Sequence, residues 1–344
     1  MTTPNGTPDN SARSAEVDAF PFVALTTQAT GIHPSTGRLV AVDVVTFNAA
    51  GEVGEKYHTV LDPGSDPGPR HYHGLSPEEV AEGQKFSKVL RTLDRLIDDR
   101  TLVVHNSPVG WGFIVSEARR AMNAAARSNR SRGRGRGRGR RRRQRVGHIP
   151  KPIAIVDTLA TARRQGVTFE DTRLASVAQA VGIAAPSPVA TVERALRPEL
   201  ETTRQETLLL IDVFRTESTG ELCSREPSEL RADRFGLQRT HVRVDAVEAD
   251  RPLPNPGTFQ EHLVRGMEVV VAPEIVMDPN VIIEACLRED LAYSEKLTRQ
   301  TSVVVCNKTS DLRGKAMHAK RKGIPLLSDA EFMKAVEHVK DQRD

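Results

Sequence analysis

The sequence is short of cysteine, of aromatic residues and of long apolar runs. Its three cysteines are an odd number scattered over 344 residues, which argues against a disulfide framework and favours a reducing compartment. No apolar run approaches the length of a membrane span, and the polar N-terminus lacks the apolar core of a signal peptide. Aromatic residues contribute only 4%, but the hydrophobic share of 38% is sufficient for real cores. This composition predicts a soluble, cytoplasmic protein without membrane contact.

Acidic residues are missing from one basic segment. Residues 127–145 hold eleven arginines and no Asp or Glu. The chain has a net charge of +4, so the remainder carries −7, which is +4 less those eleven arginines. A basic segment on an acidic protein predicts a local binding site for polyanions, and not a basic globular surface.

The length predicts two domains with connecting segments. The polar residues 1–17 predict a disordered tail, 18–216 a first domain, 217–257 a linker rich in charge, Pro and Gly, and 258–342 a smaller second domain. Within the linker, residues 240–247 predict one possible strand.

The first domain alternates between strand and helix patterns. Ser76, Pro77 and Glu79 form a capping box that predicts the start of a helix, and an apolar stripe follows to Ile97. Strands are predicted at 20–27, 38–47, about 55–61, 101–105 and 152–156, and helices at about 111–126, 158–164, 174–181 and 199–215. Three consecutive strands followed by alternating strands and helices indicate a mixed α/β sheet covered by helices.

Several stretches of the first domain carry a family resemblance. They are Ala29–Gly31, Asp66–Ser76, His105–Pro108, Val156–Ala160 and Arg194–Leu196. In this order and spacing they resemble the DEDDh 3′–5′ exonucleases, most closely the actinobacterial proteins similar to the epsilon subunit of DNA polymerase III. The resemblance implies a ribonuclease-H-like fold, in which a mixed sheet is flanked by helices.

The resemblance also implies a catalytic site that this chain lacks. Such enzymes place four carboxylates around two magnesium ions and use a histidine as general base. Carried over by position, the carboxylates fall on Thr26, Gln28, Gly110 and Pro198, and the base falls on Glu193. None of the four is a carboxylate, so no metal or other cofactor is predicted here, although active relatives use magnesium.

A rebuilt metal site is the alternative. Its oxygen ligands would come from carboxylates at other positions, namely Asp43, Asp157, Glu193, Glu199 and Glu201. Productive metal sites tolerate only small displacements of their ligands, which favours the degenerate interpretation.

Residues 258–340 resemble a BRCT domain, which is a small α/β domain. Strands are predicted at 267–272, 302–306 and 324–327, and helices at 279–289, 313–322 and 329–340. The resemblance is carried by Gly266, Leu291–Ser294, Thr301–Asn307, Gly314–Ala316, Gly323–Pro325 and Ser328–Phe332. It implies binding of a protein partner or of DNA ends.

Some BRCT domains bind phosphopeptides through a Ser/Thr-Gly pair after the first strand together with a lysine. Here Ala272, Pro273 and Glu274 follow that strand, which argues against this activity. Lys315 is left as a weak candidate for partner binding, and a solvated lysine at a helix start is the ordinary alternative.

In the arginine segment, arginine alternates with glycine from Arg132 to Arg140, and Arg141 to Arg143 follow. Backbone freedom and like-charge repulsion predict a disordered surface insertion at about 127–147. Guanidinium groups bind phosphates and stack on bases, which predicts sequence-independent binding to DNA or RNA, with a tolerated low-complexity expansion as the alternative. The predicted contacts are Arg130, Arg132, Arg134, Arg136, Arg138, Arg140, Arg141, Arg142, Arg143 and Arg145.

Three other features have structural interpretations. His71 and His73 fit a structural turn, His105 and Asn106 fit the framework at the end of a strand, and Trp111 is predicted to pack against the sheet.

The preferred function is that of a degenerate exonuclease-family protein that binds nucleic acid and a partner in DNA replication or repair. The alternatives are an active metal-dependent 3′–5′ exonuclease and a protein scaffold with an RNA-binding arm.

Overall fold

The computed structural model describes residues 10–68, 70–133, 146–169, 171–187, 197–233, 237–251 and 253–342. It divides into two compact units, with the boundary between Ser228 and Glu229. Within the described ranges, no helix combines the length and the apolar character needed to cross a membrane.

A six-stranded mixed sheet forms the centre of the N-terminal unit. The strands are β1 (Phe22–Ala29), β2 (Leu39–Phe47), β3 (Val53–Val60), β4 (Thr101–Val104), β5 (Ala154–Asp157) and β6 (Ser224–Arg225). Their order is β3-β2-β1-β4-β5-β6, with β1 antiparallel to β2 and parallel to β4. All nine residues of β2 are buried, as expected for a strand covered on both faces. The predicted ribonuclease-H-like class, a mixed sheet flanked by helices, is confirmed.

Helices pack around this sheet. They are α1 (Asn10–Ala19), α2 (Arg70–His73), α3 (Pro77–Ala81), α4 (Phe86–Ile97), α5 (Phe113–Gly133), α6 (Thr158–Arg164), α7 (Leu174–Ala180) and α8 (Glu199–Glu217), with a π-helix at Pro108–Gly112. Phe22, Phe47 and Phe214 meet with ring centroids 5.1–5.6 Å apart and fix α8 against β1 and β2.

Three predictions for this unit need correction. Residues 10–17 of the predicted tail are helical, because α1 is held by the ion pair of Glu16 and Arg100 at 2.8 Å. The capping box at Ser76 is present, but it begins the short α3, which ends before α4 starts at Phe86. Helix α5 continues to Gly133, so residues 127–133 of the predicted insertion are helical.

The C-terminal unit is built on a four-stranded parallel sheet. Its strands are β7 (Glu268–Val271), β8 (Ala292–Ser294), β9 (Thr301–Val305) and β10 (Leu326–Leu327), in the order β10-β9-β7-β8. The helices are α9 (His241–Glu248), α10 (Pro279–Arg288), α11 (Gly314–Arg321) and α12 (Asp329–Val336). A small α/β unit is therefore present. The predicted strand at 240–247 is wrong, because Thr240 Oγ1 accepts from Arg243 N and caps a helix.

Lys315 lies in a different environment from the one predicted. Its side chain is 0% exposed; Nζ donates to Val271 O at 2.9 Å and pairs with Asp233 Oδ2 at 2.8 Å. Arg243 Nη2 donates to the same carboxylate oxygen at 2.9 Å. Lys315 is therefore neither a solvated lysine nor, in this structure, accessible to a phosphate on a partner. Its anion comes from the segment that the sequence predicts to be a linker.

Candidate functional site

A cleft of about 710 Å³ opens beside β1 and the segment that follows β4. Thr26, Thr27, Asn106 and Gly110 lie on one side of it, and Glu206 of α8 lies on the other. Two of the predicted catalytic positions, Thr26 and Gly110, therefore line one cavity. Apolar side chains contribute much of its wall, including Leu25, Ile32, Val109, Leu174, Leu208 and Leu209.

The side chains of Thr26 and Gln28 are occupied by α8. Thr26 Oγ1 donates to the carbonyl oxygen of Thr203 at 3.4 Å and forms a short hydroxyl–hydroxyl contact with Thr207. Gln28 Nε2 donates to Thr203 Oγ1 at 3.3 Å and to Glu206 Oε2 at 3.1 Å. At the two positions where active relatives are expected to carry carboxylates, neutral groups tie β1 to α8.

Gly110 cannot carry a side chain without local rearrangement. It lies in the π-helix that follows Asn106, a residue with a left-handed backbone at φ 66°. A Cβ on Gly110 would lie 2.7 Å from Val104 Cγ1, well inside van der Waals contact. Thr27 Oγ1 donates to Val109 O at 2.8 Å and fixes this turn to β1. The third carboxylate is therefore absent, and the Val104 side chain leaves no room for one at this position.

The residues of this cleft do not fit a pair of magnesium ions. A hydroxyl, an amide and a glycine bring no negative charge, and Pro198, the N-cap residue of α8, brings no ligand oxygen from a side chain. Glu193 lies outside the described residues. In the part of the chain that the structure describes, no group of three or more His, Cys, Asp or Glu side chains is placed to hold a metal ion.

An internal ion network lies next to Thr26. Thr26, Asp43 and His58 are directly opposite one another on β1, β2 and β3. Arg204 of α8 donates to both oxygens of Asp43, from Nε at 2.8 Å to Oδ2 and from Nη2 at 2.6 Å to Oδ1. His58 lies between two carboxylates, 3.3 Å from Asp43 Oδ1 and 2.9 Å from Glu199 Oε2. The two side-chain cations Arg204 and His58 therefore face the two carboxylates of this network, Asp43 and Glu199.

The protonation states follow from this pairing. Burial favours a lower pKa for His58, but the carboxylates of Asp43 and Glu199 outweigh it and raise the pKa of His58 to about 9. Burial acts to raise the pKa of Asp43, whereas contacts with His58 and Arg204 lower it, and the net direction is downward. At neutral pH the network therefore consists of charged partners in a buried site.

The other carboxylates of the rebuilt-site hypothesis are also accounted for. Asp157 is the N-cap of α6 and accepts from the backbone amides of Asn106 at 3.0 Å and Ser107 at 2.6 Å. Glu199 accepts from Thr203 Oγ1 at 2.5 Å, and Glu201 is exposed on α8. These side chains do not converge on the cleft.

His73, His105 and Trp111 occupy structural positions, and the side chain of His71 lies outside the described residues. His73 contacts Pro67 O at 3.1 Å and accepts from Leu75 N at 3.1 Å. His105 engages Thr158 Oγ1 and Thr172 O, both at 2.8 Å, through its two ring nitrogens. Burial lowers the pKa of His105, so it is held as a neutral ring. Trp111 is 3% exposed.

Of the predicted arginine contacts, Arg130 is exposed on α5 and Arg132 falls within the last turn of that helix. The eight arginines from Arg134 to Arg145 lie outside the described residues.

Comparison with protein-family models finds a match, and it lies in the N-terminal unit. Residues 27–184 match the Exonuclease family model, RNase_T. The match runs from the later part of β1 to the residues after α7, and thus includes the part of the cleft that follows β4 but not α8. Residues 27–184 are therefore similar to exonuclease domains. No curated protein matches the chain.

Solved structures of exonuclease I are also similar. E. coli exonuclease I in complex with a dA16 oligonucleotide is 15% identical with a TM-score of 0.37, over 58% of this chain and 41% of that one. Exonuclease I from Methylocaldum szegediense is 13% identical with a TM-score of 0.38, over 58% of this chain and 40% of that one. This chain spans about two fifths of the length of these proteins.

Proposed function

We propose that this chain is a catalytically degenerate exonuclease-family protein that binds nucleic acid and a protein partner in DNA replication or repair. The observation that carries the proposal is the set of neutral, already bonded groups at Thr26, Gln28 and Gly110. A metal-assisted hydrolysis needs a site that holds its ions against water, and these groups supply no charge for it.

The binding function is supported by charge. Residues 127–145 carry eleven arginines within 19 residues, a density that binds polyanions through counterion release. The proposed partner site is the C-terminal unit, whose parallel sheet and helices suit the BRCT type of the predicted resemblance. Three buried, free cysteines are in keeping with the proposed cytoplasmic location, which is reducing.

The first prediction concerns catalysis. With Mg²⁺ or Mn²⁺, the purified protein is expected to leave a 5′-labelled single-stranded oligonucleotide intact on a denaturing gel. The variant Thr26→Asp/Gln28→Glu/Gly110→Asp is expected to remain inactive, because its new side chain at residue 110 meets Val104 and its carboxylate at residue 28 lies beside Glu206.

An active magnesium-dependent exonuclease in the same buffer serves as the positive control. Metal-dependent shortening of the 3′ end by the unmodified protein, abolished in Asp43→Asn and Glu193→Gln variants, would establish the rebuilt-site alternative and overturn the proposal.

The second prediction concerns the arginine segment. Replacing its eight arginines from Arg134 to Arg145 with serine is expected to weaken binding of fluorescein-labelled dT20 and to flatten the dependence of log K on log[salt]. Each lost phosphate contact reduces that slope by about 0.7 for a single strand. Fluorescence anisotropy over a salt series measures both quantities.

The matched control replaces the same eight arginines with lysine, which keeps the charge and should keep the salt slope. An unchanged slope in the serine variant would show that the segment makes no phosphate contact. Tighter binding of U20 RNA than of dT20 would favour the alternative of a scaffold with an RNA-binding arm.

A further inference from the structure

A groove of about 570 Å³ runs between α4 and α5, and its lining shares no residue with that of the cleft. Small and apolar side chains line it on the α5 side, where Met122, Ala125 and Ala126 face Val146 and Gly147. Ala125 and Ala126, which are consecutive on α5, place only methyl groups in the groove.

Cationic side chains border the groove from both helices. Arg91 and Arg95 line it from α4, and Lys88 continues the same exposed stripe toward the start of the helix. On α5, Arg119 and Arg130 are exposed and about three turns apart, which places them on one side of the helix with Ala126 between them. In the described ranges, no carboxylate pairs with Lys88, Arg119 or Arg130.

The acidic groups of the groove are held inward by the protein. Asp94 is 6% exposed and accepts from the backbone amide of His148 at 2.9 Å. Asp98 accepts from the backbone amide of Lys151 at 2.7 Å and lies 2.7 Å from His148 Nε2. Burial raises the pKa of Asp94 to about 6, which reduces its negative charge below neutral pH. On the outward rim, Arg95 is itself paired with Glu55, from Nη1 to Oε2 at 2.7 Å, so the positive charge without a carboxylate partner among the described residues is that of Lys88, Arg119 and Arg130.

The described residues that flank the arginine segment line this groove. Asn129, on the last turns of α5, lines it on the outgoing side, and Val146, Gly147 and His148 line it on the returning side. The described residues on both sides of the arginine segment thus lie at the groove, next to the fixed cations of α4 and α5.

We propose that the groove between α4 and α5 binds the sugar–phosphate backbone of nucleic acid, which is an inference that rests on the proposed function. Arginine presents planar, bidentate donors to phosphate, and an open cationic channel follows a backbone without reading its bases. No Phe, Tyr or Trp side chain lines the groove among the described residues, so stacking of bases on such rings does not contribute. The nucleic acid is therefore held at the α4–α5 face and not in the cleft of the exonuclease-family domain.

The test compares four double charge reversals with equal change in net charge, all in the full chain. The groove variant is Arg119→Glu/Arg130→Glu, the cleft variant is Arg173→Glu/Arg197→Glu, and the control is Arg215→Glu/Arg288→Glu on other exposed surfaces. A second groove variant, Lys88→Glu/Arg91→Glu, changes α4 alone. Binding of dT20 and of a 20-base-pair duplex is measured by anisotropy over a salt series, and circular dichroism checks folding.

Both groove variants are expected to weaken dT20 binding about tenfold and to reduce the salt slope by about 1.4, the value for two lost phosphate contacts. The cleft and control variants should stay within about twofold of the unmodified protein. Groove variants that bind dT20 normally would overturn the proposal that the groove binds nucleic acid. A cleft variant that loses more affinity than the groove variants would also overturn it. In either case the nucleic-acid binding of the proposed function is tested separately, because that part fails if the unmodified protein binds no probe.

Discussion

Replacing Asp43 with asparagine is expected to lower the free energy of unfolding of the N-terminal unit by about 3 kcal/mol. Asp43 is 0% exposed and receives both Arg204 and His58, whose side chains are 20% and 12% exposed. Without the carboxylate, two partly buried cations face Glu199 alone, and an uncompensated buried charge is strongly destabilising. Urea unfolding followed by tryptophan fluorescence measures this, because the single tryptophan, Trp111, lies in this unit.

Asp62→Asn is the matched control. Asp62 pairs with Lys85 and accepts from Gly64 N, in a turn where asparagine forms the same backbone contact. Its pair is solvated, so no measurable change is expected. If Asp43→Asn also left the free energy of unfolding unchanged, the ion network would contribute no more to stability than a solvated surface pair. The network would then not be what joins β2 and β3 to α8.

Much of the fold is predictable because its strongest patterns are local. The apolar stripe of α4 and the continuous apolar run of β2 each determine an element without help from distant residues. Strand β6 has only two residues and exists because it pairs with β5, which no periodicity records. Helix α9 reads as a strand because Val242 and Val244 alternate with polar residues, yet a threonine cap and a buried arginine make it helical.

The sequence predicts only the motif side of the candidate site, and not the side chains of α8 that contact it. The motif positions identify Thr26 and Gln28, but their partners Thr203 and Glu206 lie 175 to 178 residues further along the chain. Asp43 gave a signal of its own, as the one charged residue in an otherwise apolar strand. Its partners His58 and Arg204 follow from strand register and helix placement, which are properties of the tertiary fold.

Glu217 is a buried acid at the end of α8, remote in sequence from the motif positions. It is 1% exposed, and neither carboxyl oxygen has a hydrogen-bond partner among the described residues. Burial, with a further contribution from the Asp157 carboxylate, raises the pKa of Glu217 to about 9 from its ordinary value of 4.5. The folded protein therefore holds a proton that the unfolded chain releases above about pH 4.5.

Replacing Glu217 with glutamine is expected to stabilise the N-terminal unit by about 3 kcal/mol at pH 7. For an acid whose folded pKa is raised, stability is highest below the unfolded pKa and falls by about 1.4 kcal/mol per pH unit between the two values. The variant has no such proton to lose. Its advantage should therefore be near zero below about pH 4 and grow as the pH rises toward 9, measured again by urea unfolding followed by the fluorescence of Trp111.

Above about pH 6.5 a second decline should persist in both proteins. The raised pKa of His58 contributes stability that is complete below pH 6.5 and is lost as the pH rises through about 9. Glu221→Gln, at a side chain that is 78% exposed, is the matched control and should change neither curve. An advantage of Glu217→Gln that does not vary with pH would mean that residue 217 is already charged in the folded state. The inference that Glu217 is protonated in the folded protein would then be wrong. The inference about the ion network around Asp43 would be unaffected.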